Sequence, residues 1–189
     1  MKDEKQKILE TFKDFTSGIR VFFLILRHRD GGASNNTKVR KIITSSPEEF
    51  EKAVESLLKE KEKNPLFRIY CSVNARDFKK AVRQFKFEIL ESDDYDEKSR
   101  RSFYFGIKDR FIGCLSQPRA QADSNFLIDV DNPARMEEAE SCLKSLSVEI
   151  LLKYRTKSGF HIITKPFNPN LFKVEDCEVK KNALMLLSY

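Results

Sequence analysis

Two acidic residues at the end of an apolar segment are the first candidates for chemistry in this chain of 189 residues. Asp129-Val130-Asp131 follows directly on the apolar run 125–128, a pattern that predicts a strand ending in two carboxylates. Residues i and i+2 of a strand point to one side, so Asp129 and Asp131 are expected to face one point. Such a pair suits a divalent cation that takes oxygen ligands, Mg²⁺ or Mn²⁺. Simple strand termination and capping of the next helix is the structural alternative.

A second group of candidate residues follows about thirty residues later. The segment Lys157-Ser158-Gly159-Phe160-His161 leads straight into the apolar stretch 162–164. Gly159 suits a tight turn. The lysine, the serine and nearby backbone amides can form a concave anion site, beside which His161 can donate a hydrogen bond to a phosphate oxygen. The segment therefore predicts a triphosphate-binding turn, with a structural or merely exposed histidine as the alternative.

The residues between these two segments predict how they are brought together. Apolar residues recur at helical spacing over 136–146, a strand is predicted over 148–154, and residues 160–164 are predicted to form its hairpin partner. The order strand, helix, strand, turn, strand sets both segments on neighbouring strands of one sheet. A shared pocket is therefore expected.

These residues resemble a known family. The run 126–131, followed by Ser158-Gly159-Phe160-His161-Ile162-Ile163, resembles the catalytic core of the archaeo-eukaryotic primase superfamily, especially its primase-polymerase branch. That family has an apolar strand ending in Asp-x-Asp and then a small residue, any residue and His before an apolar strand. The resemblance implies an α/β (α+β) fold of two packed units. The unit over 121–189 would resemble the RNA-recognition fold, and an active-site cleft would lie between it and the unit over 1–120.

The resemblance also implies a role for each motif residue. Asp129 and Asp131 would hold the divalent metals that bridge the triphosphate and the attacking 3′ oxygen. The triphosphate itself would be bound by Lys157, Ser158, Gly159 and His161. The family pattern also asks for a third acid on a later strand, for which Asp176 is predicted as catalytic residue and metal ligand. Glu178, two residues on, is the alternative metal ligand, and ordinary solvated acids are the structural alternative for both.

The cysteines argue against an accessory zinc module of the kind that priming enzymes often carry. Cys71, Cys114, Cys142 and Cys177 are far apart and form no Cys-x-x-Cys pair. Their spacing is typical of free thiols in a reducing compartment. Initiation is therefore expected to depend on another chain, such as a helicase or an accessory primase subunit.

Composition predicts a cytoplasmic globular protein whose partners are polyanions. No segment approaches the roughly 20 apolar residues needed to cross a bilayer, so no membrane association is expected, and the first sixteen residues are too charged for a secretory signal. Lys plus Arg outnumber Asp plus Glu by 35 to 29, which gives a net charge of +6. This excess favours nucleoside triphosphates and a DNA or RNA template as ligands.

The N-terminal half is predicted to form a second α/β unit. Strands are predicted over 19–26, 39–44 and 67–73, and helices over 1–14, 46–63, 74–90 and 100–115. The helix starting at Asn74 presents basic residues for nucleic-acid binding, with a solvated basic face as the alternative. The predicted contacts are Arg76, Lys79, Lys80 and Arg83. The run Arg27-His28-Arg29 and the Gly31-Gly32 loop are further candidates for contact with template or substrate.

The leading hypothesis is a primase-polymerase-like nucleotidyltransferase that adds template-directed nucleotides from nucleoside triphosphates. The second hypothesis is a catalytically inactive protein of the same fold that binds nucleic acid or a replication partner. The third is an aspartate-based phosphatase of the haloacid-dehalogenase kind that uses Asp129 and Asp131. Asn132-Pro133 directly after the second acid, and the late position of the motif, argue against the phosphatase.

Overall fold

The computed structural model describes residues 2–27 and 37–189, and within them the chain forms two four-stranded antiparallel sheets with six α-helices. The strands are β1 (Arg20–Leu26), β2 (Thr37–Thr44), β3 (Phe67–Ser72), β4 (Phe126–Val130), β5 (Ile150–Arg155), β6 (Phe160–Thr164), β7 (Cys177–Lys180) and β8 (Leu184–Ser188). The first sheet has the order β2-β1-β3-β8 and the second β5-β6-β4-β7. The predicted mixed α and β composition is confirmed.

The helices flank the sheets, and α2, α3 and α4 begin after side chains that cap them. They are α1 (Lys2–Thr11), α2 (Pro47–Lys63), α3 (Phe78–Glu91), α4 (Glu97–Phe105), α5 (Ile107–Ser116) and α6 (Met136–Ser145). At the start of α2, the Ser46 hydroxyl accepts from the Glu49 amide and Pro47 occupies the first turn. Because Pro lacks an amide hydrogen, it loses nothing at this position. The predicted helix over 46–63 is therefore confirmed.

The central strand β1 of the first sheet is buried on both faces. Phe22 and Leu24 of β1 lie in one core with α1 and α2, which also receives Leu127 and Ile163 of the second sheet. Val21, Phe23 and Ile25 lie on the opposite face, in a core with α3 and α5. Because both faces are covered, β1 is an almost unbroken apolar run rather than an alternating one.

The second sheet divides its residues between two environments. Ile128 and Val130 of β4 pack with Ile162 of β6 against α6. Leu127 and Ile163, one position away, point to the other face and join the core of the first sheet. This alternation follows from the two-residue period of a strand, and it sends Asp129 to the side that faces the first sheet.

Two predicted element boundaries are wrong for identifiable reasons. Helix α3 begins at Phe78 and not at Asn74, because Asp77 accepts from the Lys80 amide as the N-cap. Asn74 is buried and instead donates to the carbonyls of Asn125 and Lys181. The predicted helix over 100–115 is broken at Gly106 into α4 and α5.

The C-terminal segment is divided between the two sheets. Strand β7 pairs with β4 in the second sheet, and β8 pairs with β3 in the first. The intervening residue Lys181 accepts from Asn74 and Gln121 through its carbonyl, and Asn182 accepts from Arg76. The last strand of the chain therefore belongs to the sheet built mainly from the N-terminal half.

Candidate functional site

The two sequence motifs meet through strand register. Asp129 of β4 lies directly opposite His161 of β6 on one side and Glu178 of β7 on the other. Directly opposed residues of antiparallel strands point to the same face. All three side chains therefore share one face of the second sheet, as does Tyr154, which lies opposite His161 on β5.

Asp129 is the electrostatic centre of this face. Its Oδ1 lies 3.2 Å from Nε2 of His161, and its Oδ2 lies 2.6 Å from Nζ of Lys180. The contact with His161, aided by Lys180, holds the pKa of Asp129 well below its ordinary value although burial opposes the shift. Burial would lower the pKa of Lys180, but its bonds to Asp129 and Glu178 outweigh burial and raise it. Asp129 is therefore a carboxylate, and a cation already contacts it.

A pocket of about 290 Å³ opens above this face and takes its walls from both sheets. The first sheet contributes Ile25, Arg68, Tyr70, Leu184 and Leu186, and Arg27 follows β1. The second sheet and its β5–β6 turn contribute Leu127, Asp129, Asp131, Thr156, Lys157, Ser158, His161 and Lys180. Cationic and hydroxyl groups thus converge with two carboxylates beside an apolar wall, a mixture suited to an anionic ligand with an apolar part.

The turn that carries Lys157 and Ser158 is fixed by a close backbone approach. Thr156 and Gly159 bond each other, through the Thr156 amide to the Gly159 carbonyl and the Gly159 amide to the Thr156 hydroxyl. A Cβ on Gly159 would lie 1.9 Å from the carbonyl oxygen of Val130. Its backbone is not in the left-handed region, so glycine is required for contact with β4 and not for the turn conformation.

The remaining predicted acids differ in position. Asp131 is exposed and lines the pocket, and its amide donates to the carbonyl of Asp176. Asp176 has a φ of 56° and its carboxylate accepts from the Asn132 amide group. In the part of the chain that the structure describes, neither Asp176 nor Glu178 lines the pocket. Glu178 is the one that faces Asp129, and Lys180 lies 3.0 Å from its carboxylate.

The carboxylates of this face have the oxygen ligands that a hard divalent cation prefers, but the ammonium group of a lysine lies against them. Asp129, Asp131 and Glu178 offer only oxygen donors, which Mg²⁺ and Mn²⁺ prefer. No group of three or more His, Cys, Asp or Glu side chains is arranged to hold a metal among residues 2–27 and 37–189. The ammonium group of Lys180 contacts both Asp129 and Glu178. A metal at these carboxylates therefore requires Lys180 to move, which its flexible stem permits.

The predicted nucleic-acid contacts divide into buried and exposed residues. Arg76 is only 4% exposed, and its guanidinium donates to the Gln117 carbonyl and the Asn182 side chain. Arg76 is therefore a structural residue, and the interpretation of it as a nucleic-acid contact is corrected. Lys79, Lys80 and Arg83 are exposed on α3, where the Lys80 ammonium also donates to the Gln121 carbonyl. His28, Arg29 and the Gly31-Gly32 loop lie outside the described residues.

The sequence analysis missed Lys180 and Arg68, which line the pocket, and Tyr154, which contacts His161. Lys180 lies two residues beyond Glu178, so strand alternation was a usable signal for it. Arg68 and Tyr154 carry no local signal, because each reaches the site through packing between strands distant in sequence. Arg68 lies opposite Ile25 in the first sheet, and its place in the pocket depends on how the two sheets meet.

Comparison of the chain with protein-family models, curated proteins and solved structures found no match. None of the helices in the described ranges has the length and apolar character needed to span a membrane.

Proposed function

We propose that this protein is a primase-polymerase-like nucleotidyltransferase that adds template-directed nucleotides from nucleoside triphosphates. The observation that carries the proposal is the single pocket that unites Asp129, Asp131 and His161 with cationic side chains of both sheets. These residues come from two distant segments that resemble the two motifs of one family. Their meeting above one sheet is the arrangement that such an enzyme requires.

The topology of the second sheet supports this proposal. Its order β5-β6-β4-β7, with α6 between β4 and β5, is the order of a β-α-β-β-α-β unit of the ferredoxin and RNA-recognition type. A short 3₁₀ turn, Pro169–Leu171, stands where the second helix of that unit would lie. The pocket then corresponds to the active-site cleft between the two packed units.

The cationic and the anionic residues of the site would bind different parts of the substrates. Lys157, Ser158 and His161 donate hydrogen bonds to the triphosphate, with Arg68 and Arg27 adding positive charge from the first sheet. The exposed basic face of α3 binds the template backbone through Lys79, Lys80 and Arg83. The oxygens of Asp129, Asp131 and Glu178 would hold Mg²⁺ or Mn²⁺, which when bound stabilises the attacking and leaving oxygens of an in-line displacement.

Replacement of both motif acids tests the assignment. The double variant Asp129→Ala with Asp131→Ala should lose incorporation of a labelled nucleoside triphosphate into a primed template, measured with Mn²⁺ present. The matched control is Asp94→Ala, an exposed acid outside the pocket, which should incorporate like the wild type. Circular dichroism of the double variant checks that the fold is kept. Full incorporation by the folded double variant would refute the assignment.

A second candidate function is favoured by the position of Lys180. Its ammonium lies 2.6 Å from Oδ2 of Asp129, so the face is neutralised without a metal, as expected of a catalytically inactive protein that binds nucleic acid or a replication partner. Calorimetric titration with a nucleoside triphosphate, with and without Mn²⁺, separates the two. The enzyme binds the nucleotide in a metal-dependent manner, whereas the inactive protein shows no metal dependence.

A further inference from the structure

The hydroxyl of Tyr154 links His161 to the first sheet. Its oxygen lies 2.7 Å from Nδ1 of His161 and accepts a hydrogen bond of 3.1 Å from the amide of Leu186. Leu186 belongs to β8, and Tyr154 to β5. The tyrosine ring also packs edge-on against Phe12 and against His161, with centroid distances of 4.9 and 5.2 Å. The hydroxyl is therefore held between an amide donor and the imidazole.

Counting the protons at this hydroxyl fixes the direction of its bond to His161. The Leu186 amide can only donate, so the tyrosine oxygen accepts there. The hydroxyl has one hydrogen, and the Nδ1 atom is the acceptor that the structure offers it. If Nδ1 carried a proton, the oxygen would receive two donors and its own hydrogen would lack a partner inside the protein, which is unfavourable.

The contact of the other ring nitrogen, Nε2, independently places the proton on Nε2. Nε2 lies 3.2 Å from Oδ1 of Asp129, and a carboxylate can only accept. An unprotonated Nε2 would set two acceptors against each other, whereas a protonated one forms a hydrogen bond.

We propose that Tyr154 is a positioning residue that holds His161 in the tautomer with its proton on Nε2. Burial raises the pKa of Tyr154 well above its ordinary value, so the hydroxyl keeps its hydrogen for Nδ1 throughout the neutral range. Nε2 is the nitrogen on the Asp129 side of the ring, so its hydrogen is donated to Oδ1 of Asp129 at the edge of the pocket. On the function proposed above, a phosphate oxygen of the nucleotide takes the place of Oδ1 as the acceptor of this hydrogen.

The tautomer can be read directly by nuclear magnetic resonance. Two-bond proton–nitrogen correlation spectra of the ¹⁵N-labelled full chain in mildly alkaline buffer distinguish a protonated Nε2 from a protonated Nδ1. The chain has two histidines, so His161→Gln identifies the signals of His161. The wild type should show Nδ1 unprotonated and Nε2 protonated. A dominant Nδ1–H form in the wild type would overturn the proposal, whatever the variants do.

The variant Tyr154→Phe removes the hydroxyl while keeping the ring, and it should increase the fraction of the Nδ1–H tautomer, although the contact of Nε2 with Asp129 still favours the Nε2–H form. Tyr70→Phe is the matched control, since Tyr70 lines the same pocket and forms no hydrogen bond with the imidazole in the described contacts. It should leave the tautomer unchanged. An unchanged tautomer in folded Tyr154→Phe would also overturn the proposal.

Nucleotide binding provides a second readout that separates this proposal from the proposed function. With a fluorescent nucleoside triphosphate and Mn²⁺ as the probe, Tyr154→Phe should weaken binding by roughly two- to tenfold, the value of one hydrogen bond. If the wild type shows the Nε2–H form but binds no nucleotide, the proposed function fails and the role of Tyr154 stands. If nucleotide binds and the wild-type tautomer is Nδ1–H, the role of Tyr154 fails alone.

Discussion

The two sheets use their faces differently. The first sheet has a central strand, β1, that is covered on both sides by apolar residues, with Phe22 and Phe23 buried in opposite cores. The second sheet buries Ile128 and Val130 against α6, but its other face changes along the strand from Leu127, which is buried in the shared core, to Asp129 in the pocket. The polar residues therefore lie where the two sheets cease to cover each other.

This difference indicates that the first sheet serves mainly as a support, whereas most polar residues of the pocket belong to the second sheet and its β5–β6 turn. Arg68 and Tyr70 form a wall of the pocket, and the Leu186 amide holds the Tyr154 hydroxyl. The groups of the first sheet that reach the site thus come from β1, β3 and β8. Predictions about the two regions should differ accordingly, with losses of stability at the support and changes in ligand binding at the polar face.

The largest effect is expected at Arg76, the buried cation that ties the start of α3 to the segment after β7. Arg76→Ala removes the hydrogen bonds of a buried guanidinium to the Gln117 carbonyl and the Asn182 side chain and leaves a cavity in its place. The free energy of unfolding, measured by urea denaturation, should fall by roughly 2–4 kcal/mol. Arg83→Ala, on the exposed face of the same helix, should change it by less than about 0.5 kcal/mol.

Nucleic-acid binding by these two variants sharpens the contrast. A folded Arg76→Ala protein should bind single-stranded DNA like the wild type, whereas Arg83→Ala should bind more weakly and with a smaller salt dependence. If Arg76→Ala were instead as stable as the wild type and bound DNA weakly, Arg76 would contact nucleic acid directly, as predicted from the sequence.

A smaller loss of stability is expected at the turn of the polar face. Gly159→Ala would place a Cβ 1.9 Å from the Val130 carbonyl oxygen, so the β5–β6 turn must move away from β4. The unfolding free energy should fall by roughly 1–3 kcal/mol, and nucleotide binding should weaken as well because Lys157 and Ser158 move with the turn. Gly113→Ala in α5 has open space around the added methyl and should be neutral or stabilising by about 1 kcal/mol or less. Equal stability of the two variants would contradict the packing argument.

The contrast between the sheets also explains what the sequence could predict. Short sequence patterns predicted a feature correctly where adjacent residues alone determine it, as at Ser46-Pro47 before α2 or at the acids after Ile128. They failed where two possible caps compete, as at Asn74 and Asp77, because burial of Asn74 between distant carbonyls is not visible locally. They also failed at Lys180 and Tyr154, whose roles depend on strand register across the second sheet and, for Tyr154, on an amide of the first.

The smallest expected effect concerns Lys180 and tests whether the polar face is built for a metal. Lys180 is about a third exposed and contacts Asp129 and Glu178, and pairs of this exposure contribute about 1 kcal/mol or less. Lys180→Met removes the competing charge, so the affinity for Mn²⁺, followed through the spin-resonance signal of the free ion, should rise by roughly two- to fivefold.

Lys153→Met, which breaks an exposed pair with Glu140 on another face, is the matched control and should leave the affinity unchanged. In the enzyme, Mn²⁺ must displace Lys180 before it can bind, so loss of the lysine strengthens Mn²⁺ binding. In the inactive protein the site binds no metal, so loss of the lysine does not create Mn²⁺ binding. Absence of Mn²⁺ binding in both the wild type and Lys180→Met would therefore decide for the inactive nucleic-acid-binding protein.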